Sequence, residues 1–356
     1  MINLTEQDLG QLFVYGFHGD KTTDEGVQAL RRHIEAGLVG GVILFSYNIQ
    51  DIDQVSNLNT YLTQLAAQGA TDPLFICVDQ EGGRVQRLRH EHGFTVEMPS
   101  ALELASLPSW DRQDWALRLA KALKQAGFNL NFSPVVDLYT PTSSIIGQLE
   151  RSFSRCPHEV IEAAQDVVKG LRQGGVFSCL KHFPGHGLAT GDSHLGLVDI
   201  TDTAQTDELL PYKILIERNM ADMIMTAHLC NRNIDNQFPA SLSSKMIKAL
   251  LRRQFGYQGV VISDDLHMGA IRQQFDLKQA ILLALKAGND MIILSHNPAA
   301  SGGHALTPDL NLPEKAVAWV QEALMSGELD PQEIYEAVGR IRHLKRQGLR
   351  PELSRP

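Results

Sequence analysis

The chain has 356 residues and a mass of 39.4 kDa, a length that exceeds one typical domain but also fits one large α/β barrel. Apolar residues make up 43% and charged residues 21%, which excludes a disordered chain or a fibre. The 32 basic and 41 acidic residues give a net charge of −9 and a pI near 5.8, which argues against a nucleic-acid partner or a polybasic membrane surface. A neutral small molecule fits better as the partner.

The cysteines and the N-terminus indicate the compartment. The four cysteines are Cys77, Cys156, Cys179 and Cys230. They lie far apart without a C-x-x-C pair, so we expect mostly buried thiols and neither a zinc ribbon nor a disulfide framework. The first residues have no basic region followed by an apolar one, and nowhere do 18 apolar residues run together. We therefore expect a cytoplasmic protein without a membrane partner.

Eight short apolar runs recur along the chain. They span residues 12–17, 41–45, 74–78, 130–136, 176–180, 223–227, 259–262 and 291–294. Most lack the alternation of apolar and polar residues that a half-exposed strand has. Near-continuous apolar runs are typical of parallel strands covered on both faces. The pattern therefore predicts eight buried parallel strands.

Helical spacing of apolar residues fills the intervals between these runs. The clearest helix is 157–173, where Pro157 suits the first turn and Gly174-Gly175 ends the helix. The other predicted helices span 24–36, 51–68, 111–126, 207–219, 242–254, 276–287, 313–326 and 331–347. Eight strands alternating with helices favour a (β/α)₈ TIM-type barrel over an open doubly wound sheet. No low-complexity linker or charge block divides the chain, so we expect a single domain over residues 1–356.

Polar side chains stand directly after the predicted strands, where barrels of this kind carry their active sites. They are Asp79, Gln80, Glu81, Arg84 and Arg87 after the third strand, Asp137 after the fourth, Lys181, His182 and His186 after the fifth, His228 after the sixth, and Asp264 and Asp265 after the seventh. Taken alone, a carboxylate such as Asp264 can instead cap the next helix, and Lys181 with His182 can form a structural ion-pair layer. Convergence of five loops on one face favours a shared pocket.

Over essentially its full length the chain resembles the family 3 β-N-acetylglucosaminidases of bacteria. The segments that carry the resemblance are GGVILFSYNIQD at 40–51, DQEGGRVQRL at 79–88, NFSPVVD at 131–137, KHFPGHGLATGDSH at 181–194, DMIMTAHL at 222–229 and GVVISDDLHMGAI at 259–271. The segment KHFPGHG followed by DSH is the most specific. The chain departs from the family pattern where residues 148–150 separate Ile146-Gly147 from Arg151, and where Tyr47 replaces a common arginine.

The resemblance implies a retaining glycosidase that removes a terminal β-linked N-acetylglucosamine without a metal or another cofactor. Asp264 would be the nucleophile, because a carboxylate stabilises an oxocarbenium-like transition state and then captures the sugar. His194 would be the acid/base, since an imidazole with a pKa near ~6.5 both donates and accepts a proton near neutral pH. Asp192 stands two residues earlier, on the same side of an extended segment, and would orient the ring.

The resemblance also implies how the sugar is held. Asp79 and Arg87 would bind ring hydroxyls, Arg151 a further hydroxyl, and Lys181 with His182 the side nearer the reacting carbon and the acetamido group. Charged hydrogen bonds suit this role because a ligand that lacks one hydroxyl leaves a buried charge unpaired. We interpret Arg84 and His186 as residues that brace loops, and the role of His228 stays open.

The glycines of the 181–194 segment suggest that it moves. Gly185, Gly187 and Gly191 make the loop deformable, and we expect the loop to close over bound sugar and bring His194 to the glycosidic oxygen. The substrate implied by the resemblance is a glycan containing N-acetylglucosamine, derived from peptidoglycan turnover or related to it.

Other functions remain as alternatives. A phosphorylase is the first, since a neutral histidine repels incoming phosphate less than a carboxylate does, and a β-glycosidase of other sugar specificity is the second. A metal-dependent hydrolase using His182, His186, Asp192 and His194 is disfavoured because Pro184-Gly185 interrupts any helix between the first two. A non-catalytic glycan-binding protein is disfavoured by the aromatic content of only 6%.

Overall fold

The computed structural model describes residues 2–69, 71–189, 191–193, 195–301 and 308–348. Ten strands occur in these residues: β1 Phe13–Gly16, β2 Gly41–Leu44, β3 Phe75–Val78, β4 Leu130–Asn131, β5 Phe177–Phe183, β6 Val198–Asp199, β7 Met223–Thr226, β8 Leu229–Cys230, β9 Val260–Asp265 and β10 Met291–Leu294. Eight of them close into a parallel barrel in the order β1-β2-β3-β4-β5-β7-β9-β10. The predicted barrel is therefore confirmed, with one strand at each of the eight apolar runs.

The two remaining strands and the ends of the barrel strands differ from the prediction. The pair β6 and β8 forms a small parallel sheet, and strands of two residues are too short to give a sequence pattern. The predicted fourth strand stops at Asn131 because Pro134 has no N–H to continue the ladder. In contrast, β5 and β9 extend past their apolar runs to Phe183 and Asp265. This extension carries polar side chains to the carboxyl end of the barrel.

Helices surround the barrel. They are α1 Glu6–Gly10, α2 Glu25–Glu35, α3 Ile52–Gln68, α4 Ala101–Ala105, α5 Ser109–Gln125, α6 Pro157–Gln173, α7 Leu210–Glu217, a π-helix Lys245–Gln254, α8 Gly269–Arg272, α9 Leu277–Ala287, α10 Leu312–Ser326 and α11 Pro331–Gly348. Short 3₁₀ helices span Ser46–Asn48, His90–His92, Thr206–Leu209, Ala240–Leu242 and Pro298–Ser301. Every predicted helix is present, and 242–254 forms the π-helix. The unpredicted α1, α4 and α8 are four or five residues long, too short for a helical period.

Burial of the apolar runs forms one core between the barrel and the helices. Phe13, Phe75, Phe128 and Phe183 are among the largest fully buried side chains. Of the four free cysteines, Cys77 and Cys179 are buried, Cys230 is half-buried and Cys156 is exposed. Within the part of the chain that the structure describes, no helix combines the length and apolar character needed to cross a bilayer.

The amino end of the barrel is closed by charged side chains. Lys345 on α11 is buried, and its Nζ donates to Gln11 Oε1 at 2.6 Å and to the Gly40 carbonyl at 2.8 Å. Asp290, before β10, contacts Arg252 at 2.6 Å and Arg340 at 2.9 Å. These contacts attach α11 and the π-helix to the bottom of the barrel.

Candidate active site

A cavity of about 340 Å³ opens at the carboxyl ends of the strands. Its lining includes seven of the eight predicted site residues: Asp79, Arg87, Arg151, Lys181, His182, Asp192 and Asp264. The eighth, His194, lies outside the described residues. The apolar part of the wall is formed by Ile43, Phe132, Met225 and Ile293 from the strands and the segments just after them. The structure thus brings predicted site residues from four strands, β3, β4, β5 and β9, or from the segments that follow them, to one space.

Asp264 stands on β9 and is partly exposed at the cavity. Its Oδ1 accepts the N–H of Asp265 at 2.8 Å. The helix that follows, α8, begins at Gly269 after an N-cap residue, Met268, that makes no side-chain capping bond. Asp264 therefore is not the N-cap of this helix, and the alternative that it caps the next helix is wrong.

The neighbouring carboxylate, Asp265, is held in the barrel wall. Its Oδ1 accepts the N–H groups of Ser295 at 3.0 Å and His267 at 3.1 Å, and its Oδ2 accepts the Ser295 hydroxyl. Burial raises the pKa of Asp265 above its ordinary value. Two adjacent aspartates thus differ in what surrounds them, since Asp265 is buried among donors and Asp264 is open to the cavity.

Glu81 forms the centre of a buried ion network on one side of the cavity. Lys181 Nζ lies 2.6 Å from Glu81 Oε1 and 2.8 Å from Asp79 Oδ1, and Arg151 Nε lies 2.7 Å from Glu81 Oε2. Burial raises the pKa of Glu81, but the charges of Arg151 and Lys181 outweigh it and hold the pKa well below its ordinary value. From the sequence, Glu81 was only one of several polar residues after the third predicted strand, and no role was predicted for it. The sequence did contain one signal for this role, because two predicted site cations, Lys181 and Arg151, had only Asp79 as a predicted carboxylate partner.

Asp137 orients His182 from below. This aspartate is completely buried and accepts the N–H of His182 at 3.1 Å, His182 Nδ1 at 2.7 Å and the N–H of His186 at 2.8 Å. Burial raises the pKa of Asp137, whereas the charge and hydrogen bonds of His182 lower it, and the net shift is downward. His182 Nε2 lies 3.3 Å from Arg151 Nη2, a donor. Asp137 and Arg151 thus fix the orientation of the ring, with Nδ1 toward the carboxylate and Nε2 toward the guanidinium.

Asp79 and Arg87 form the more open part of the site. Arg87 Nη2 lies 3.7 Å from Asp79 Oδ2, and the two side chains are 24% and 18% exposed, against 3% for Lys181. Their loop is folded by Gln80, whose Oε1 accepts the N–H groups of Arg87 at 2.7 Å and Leu88 at 3.0 Å. The same loop turns at Gly82, whose φ of 117° favours glycine. Arg87 is therefore the site cation with the greatest access to a ligand hydroxyl.

The segment after β5 is packed rather than free. A Cβ at Gly187 would lie 1.9 Å from the Leu138 carbonyl oxygen, and Gly185 has a φ of 130°. Close packing and backbone conformation thus account for glycine at these two positions, and closure of the loop stays a prediction. His186 is buried, with Nε2 3.4 Å from Ser193 Oγ, and burial lowers its pKa to about 4. His186 therefore contacts the loop at Ser193 and also lines the cavity.

Arg84 and His228, and the two positions where the chain departs from the family pattern, Arg151 and Tyr47, are all placed by the structure. Arg84 is exposed, while His228 is buried with Nδ1 2.7 Å from Ser241 Oγ and Nε2 2.9 Å from the Asp265 carbonyl. Arg151 reaches the site despite the extra residues before it, and its Nη1 donates to the Ile145 carbonyl at 3.0 Å. Tyr47 is 38% exposed and stacks on His18, with ring centroids 5.1 Å apart.

Comparison with known proteins identifies the family. The model of the glycosyl hydrolase family 3 N-terminal domain matches residues 4–344. "Beta-hexosaminidase" of Thiobacillus denitrificans is 36% identical over 301 residues, covering 81% of this chain and 80% of the relative. "Beta-hexosaminidase A" of Pseudoalteromonas piscicida is 34% identical over 325 residues, covering 86% of this chain and 53% of the relative.

A solved structure gives the same result. The glycoside hydrolase family 3 beta-N-acetylglucosaminidase from Paenibacillus sp. str. FPU-7 superposes with a TM-score of 0.86 and 33% identity, over 98% of this chain and 63% of that one. The chain thus spans about half the length of the Pseudoalteromonas relative and under two thirds of the Paenibacillus structure. The motif resemblance is confirmed, and the chain belongs to glycosyl hydrolase family 3.

Proposed function

We propose that the chain is a retaining exo-β-N-acetylglucosaminidase that works through a covalent glycosyl-aspartate. The observation that carries the proposal is the position of Asp264, a partly exposed carboxylate at a cavity that is also lined by the Lys181–Glu81–Arg151 network. The names of the similar proteins, beta-hexosaminidase and beta-N-acetylglucosaminidase, support the choice of sugar. Residues 1–356 would act as one catalytic domain.

Asp264 would act as the nucleophile. Departure of the aglycone leaves positive charge on the anomeric carbon and ring oxygen, and an anion beneath the sugar stabilises that charge. The same carboxylate then forms the glycosyl ester, which water hydrolyses in the second step. Asp265 also lines the cavity, but it is only 6% exposed and its carboxylate accepts hydrogen bonds from Ser295 and His267. The difference in burial between the two aspartates therefore supports Asp264 as the nucleophile.

Proton transfer would fall to His194, with Asp192 orienting its ring. The assignment of His194 rests on the family resemblance, because this residue lies outside the described part of the chain. Asp192, two positions earlier, lines the cavity. Ser193 lies between them, and its carbonyl accepts the N–H of Ala270 on α8 at 3.1 Å. Asp264 lies five residues before α8, so this short helix would connect the nucleophile with the loop that carries the proton-transfer residues.

The sugar hydroxyls would be recognised by groups that are already paired. Arg87 and Asp79 are the most accessible, and Lys181 between Asp79 and Glu81 is charged and nearly buried. A bound hydroxyl satisfies donors and acceptors that water otherwise reaches, and a substrate that lacks the hydroxyl leaves them unpaired. His182 and Arg151 lie on the same side and would complete the contacts. We place the natural reaction in the cytoplasm, on glycans derived from peptidoglycan or related to them.

The stereochemistry of the product tests the proposal. Hydrolysis of 4-nitrophenyl N-acetyl-β-glucosaminide, followed by ¹H NMR, should release the β-anomer first, because two displacements retain the configuration. An α-anomer released first would contradict the covalent mechanism. The same reaction with added phosphate should give no sugar 1-phosphate, which distinguishes hydrolysis from phosphorolysis. A chelator should leave the rate unchanged, whereas loss of activity would favour a metal-dependent hydrolase.

A further inference from the structure

Glu208 is a buried carboxyl group that the mechanism above does not use. It lies in the 3₁₀ helix Thr206–Leu209, just before α7, and is 2% exposed. Its Oε1 accepts the N–H of Gly187 at 2.9 Å and the N–H of Leu188 at 3.2 Å. The Glu208 side chain, from a helix outside the barrel, thus hydrogen-bonds to the main chain of the segment that follows β5.

The segment 185–188 is fixed from two sides. On one side, a Cβ at Gly185 would lie 2.6 Å from the Glu208 Cβ, so the backbone packs directly on this side chain. On the other side, the His186 N–H donates to Asp137 Oδ1 at 2.8 Å, and Gly187 packs on the Leu138 carbonyl. Removing the Glu208 acceptor would leave the outer side of the segment without its hydrogen bonds.

This segment leads directly to the cavity. His186 Nε2 lies 3.4 Å from the hydroxyl of Ser193, which adjoins Asp192 in the cavity lining. The Ser193 carbonyl accepts the N–H of Ala270 on α8 at 3.1 Å, and Gln273 Nε2, just after α8, donates to the Leu195 carbonyl at 2.9 Å. The far end of the loop therefore depends on α8 and its near end on Glu208.

We propose that Glu208 is a positioning residue, whose side chain fixes residues 185–188 and thereby sets where Asp192 stands at the cavity. The inference rests on the proposed function, in which Asp192 orients the group that protonates the leaving oxygen. Glu208 itself is not one of the residues that line the cavity. Its effect on the reaction passes through the main chain of the loop.

The chemistry of the side chain selects the variants. Burial, together with the nearby charge of Asp137, raises the pKa of Glu208 to about 8, so at neutral pH the group is mainly a neutral acid. Glutamine has the same shape and a carbonyl oxygen, so Glu208→Gln should keep both backbone hydrogen bonds. Methionine has similar length without the acceptor, and Glu208→Asp keeps the carboxyl on a shorter chain. Gln should therefore rescue what Met and Asp lose.

A comparison of leaving groups tests the role in the reaction. N,N′-diacetylchitobiose needs a proton on its departing oxygen, whereas 2,4-dinitrophenyl N-acetyl-β-glucosaminide does not. Glu208→Met should lower kcat/KM for the disaccharide by roughly 10²-fold, the lower range of acid catalysis, and for the dinitrophenyl glycoside by less than about 3-fold. Glu208→Asp should show the same selectivity to a smaller extent, and Glu208→Gln should stay within about 2-fold of wild type on both. Equal losses on both substrates, or no loss, would overturn the inference.

Two controls separate folding from positioning. Asp222→Ala, at the amino end of the barrel, removes an acceptor of the Ser178 N–H and should lower the melting temperature with equal effects on both substrates. Hydrogen exchange should be faster in residues 185–193 of Glu208→Met and unchanged in β3, and unchanged exchange in 185–193 would contradict the inference without any assay of activity. If the wild type hydrolyses neither glycoside, the proposed function fails and the catalytic role of Glu208 with it. If the wild type hydrolyses both glycosides and Glu208→Met loses activity equally on both, the inference about Glu208 fails while the proposed function stands.

Discussion

The two ends of the barrel both contain buried charges, yet they differ in what those charges contact. At the amino end, Asp290 accepts the N–H of Val261 at 2.8 Å besides its two arginines, and Lys345 donates to the Gly40 carbonyl. At the carboxyl end, Lys181 and Arg151 contact the side chains of Asp79 and Glu81, around an open space. Charges at the first end attach elements to one another, and charges at the second surround a cavity.

Cavity size alone would place the active site at the amino end of the barrel instead of the carboxyl end. The cavity at the amino end measures about 1180 Å³, against about 340 Å³ at the carboxyl end. Its lining includes Arg172, Asp222 and Arg340, and Arg172 pairs with Asp222 at 2.8 Å while Asp222 also accepts the Ser178 N–H. These groups are satisfied by the fold itself. The comparison teaches that a partly exposed carboxylate at the carboxyl ends of the strands, and not cavity volume, is the better guide to the candidate active site.

Replacing the carboxylate of Asp264 should give the largest effect and only at the carboxyl end. Asp264→Asn keeps the shape but removes the carboxylate that we propose as the nucleophile, so kcat should fall by at least about 10³-fold. The free energy of unfolding should change by less than about 1 kcal/mol, because the side chain is partly exposed. Steady-state kinetics and urea unfolding check both values. Activity within tenfold of wild type would remove Asp264 from the mechanism.

The reciprocal change at the amino end should affect stability instead. Asp290→Ala leaves Arg252 and Arg340 without their carboxylate and the Val261 N–H without an acceptor. Removing one partner of a buried ion pair costs about 3–5 kcal/mol, so the denaturation midpoint should fall markedly. The kcat of the folded fraction should equal that of wild type. If Asp290→Ala lowered kcat while its stability stayed normal, the charges at the amino end would not be purely structural.

A moderate effect is expected at Arg87, the most accessible cation of the site. Arg87→Met should raise KM and lower kcat/KM by about 10- to 100-fold, since a charged hydrogen bond to a hydroxyl contributes roughly 1.5–3 kcal/mol. Asp79 keeps its contact with Lys181, so the melting temperature should hardly change. Arg84→Met, in the same loop but exposed, is the matched control and should behave as wild type. Equal effects of the two substitutions would contradict a sugar contact by Arg87.

The smallest effect is a pH dependence that belongs to the amino end. Burial lowers the pKa of Lys345 to about 7, below its ordinary value of 10.5. Between these values the unfolded chain binds more protons, so this group makes stability rise with pH, by up to about 1.4 kcal/mol per pH unit. The difference in unfolding free energy between wild type and Lys345→Met should therefore change between pH 7 and 8.5, whereas Lys121→Met, an exposed lysine, should show no such change. Identical pH slopes for all three proteins would show that Lys345 does not titrate there.

The sequence predicted the barrel well because its signals are local. Near-continuous apolar runs mark strands buried on both faces, and glycines and prolines mark their ends. Where β9 extends past Ile262 to Asp265, the pattern ended early because its last side chains are polar. The capping pairs Thr5 with Asp8 and Ser100 with Glu103 could have located α1 and α4.

The missed parts of the site depend on distant contacts. Glu81 acquires its role from Lys181 and Arg151, which lie 100 and 70 positions away, and Glu208 from a backbone turn about 20 positions earlier. No local spacing encodes such pairings. The motifs nevertheless identified which residues meet at the cavity, because the carboxyl ends of parallel strands share one face of the barrel.

Covalent trapping tests the central claim most directly. Incubation with a fluorinated amino-sugar that forms the glycosyl-enzyme but releases it slowly, followed by peptide mass mapping, reports which residue captures the sugar. The account predicts one label per chain, on Asp264, in the peptide that contains β9 and α8. A label on Asp265 or on another carboxylate, or hydrolysis with inverted configuration and no label at all, would contradict it.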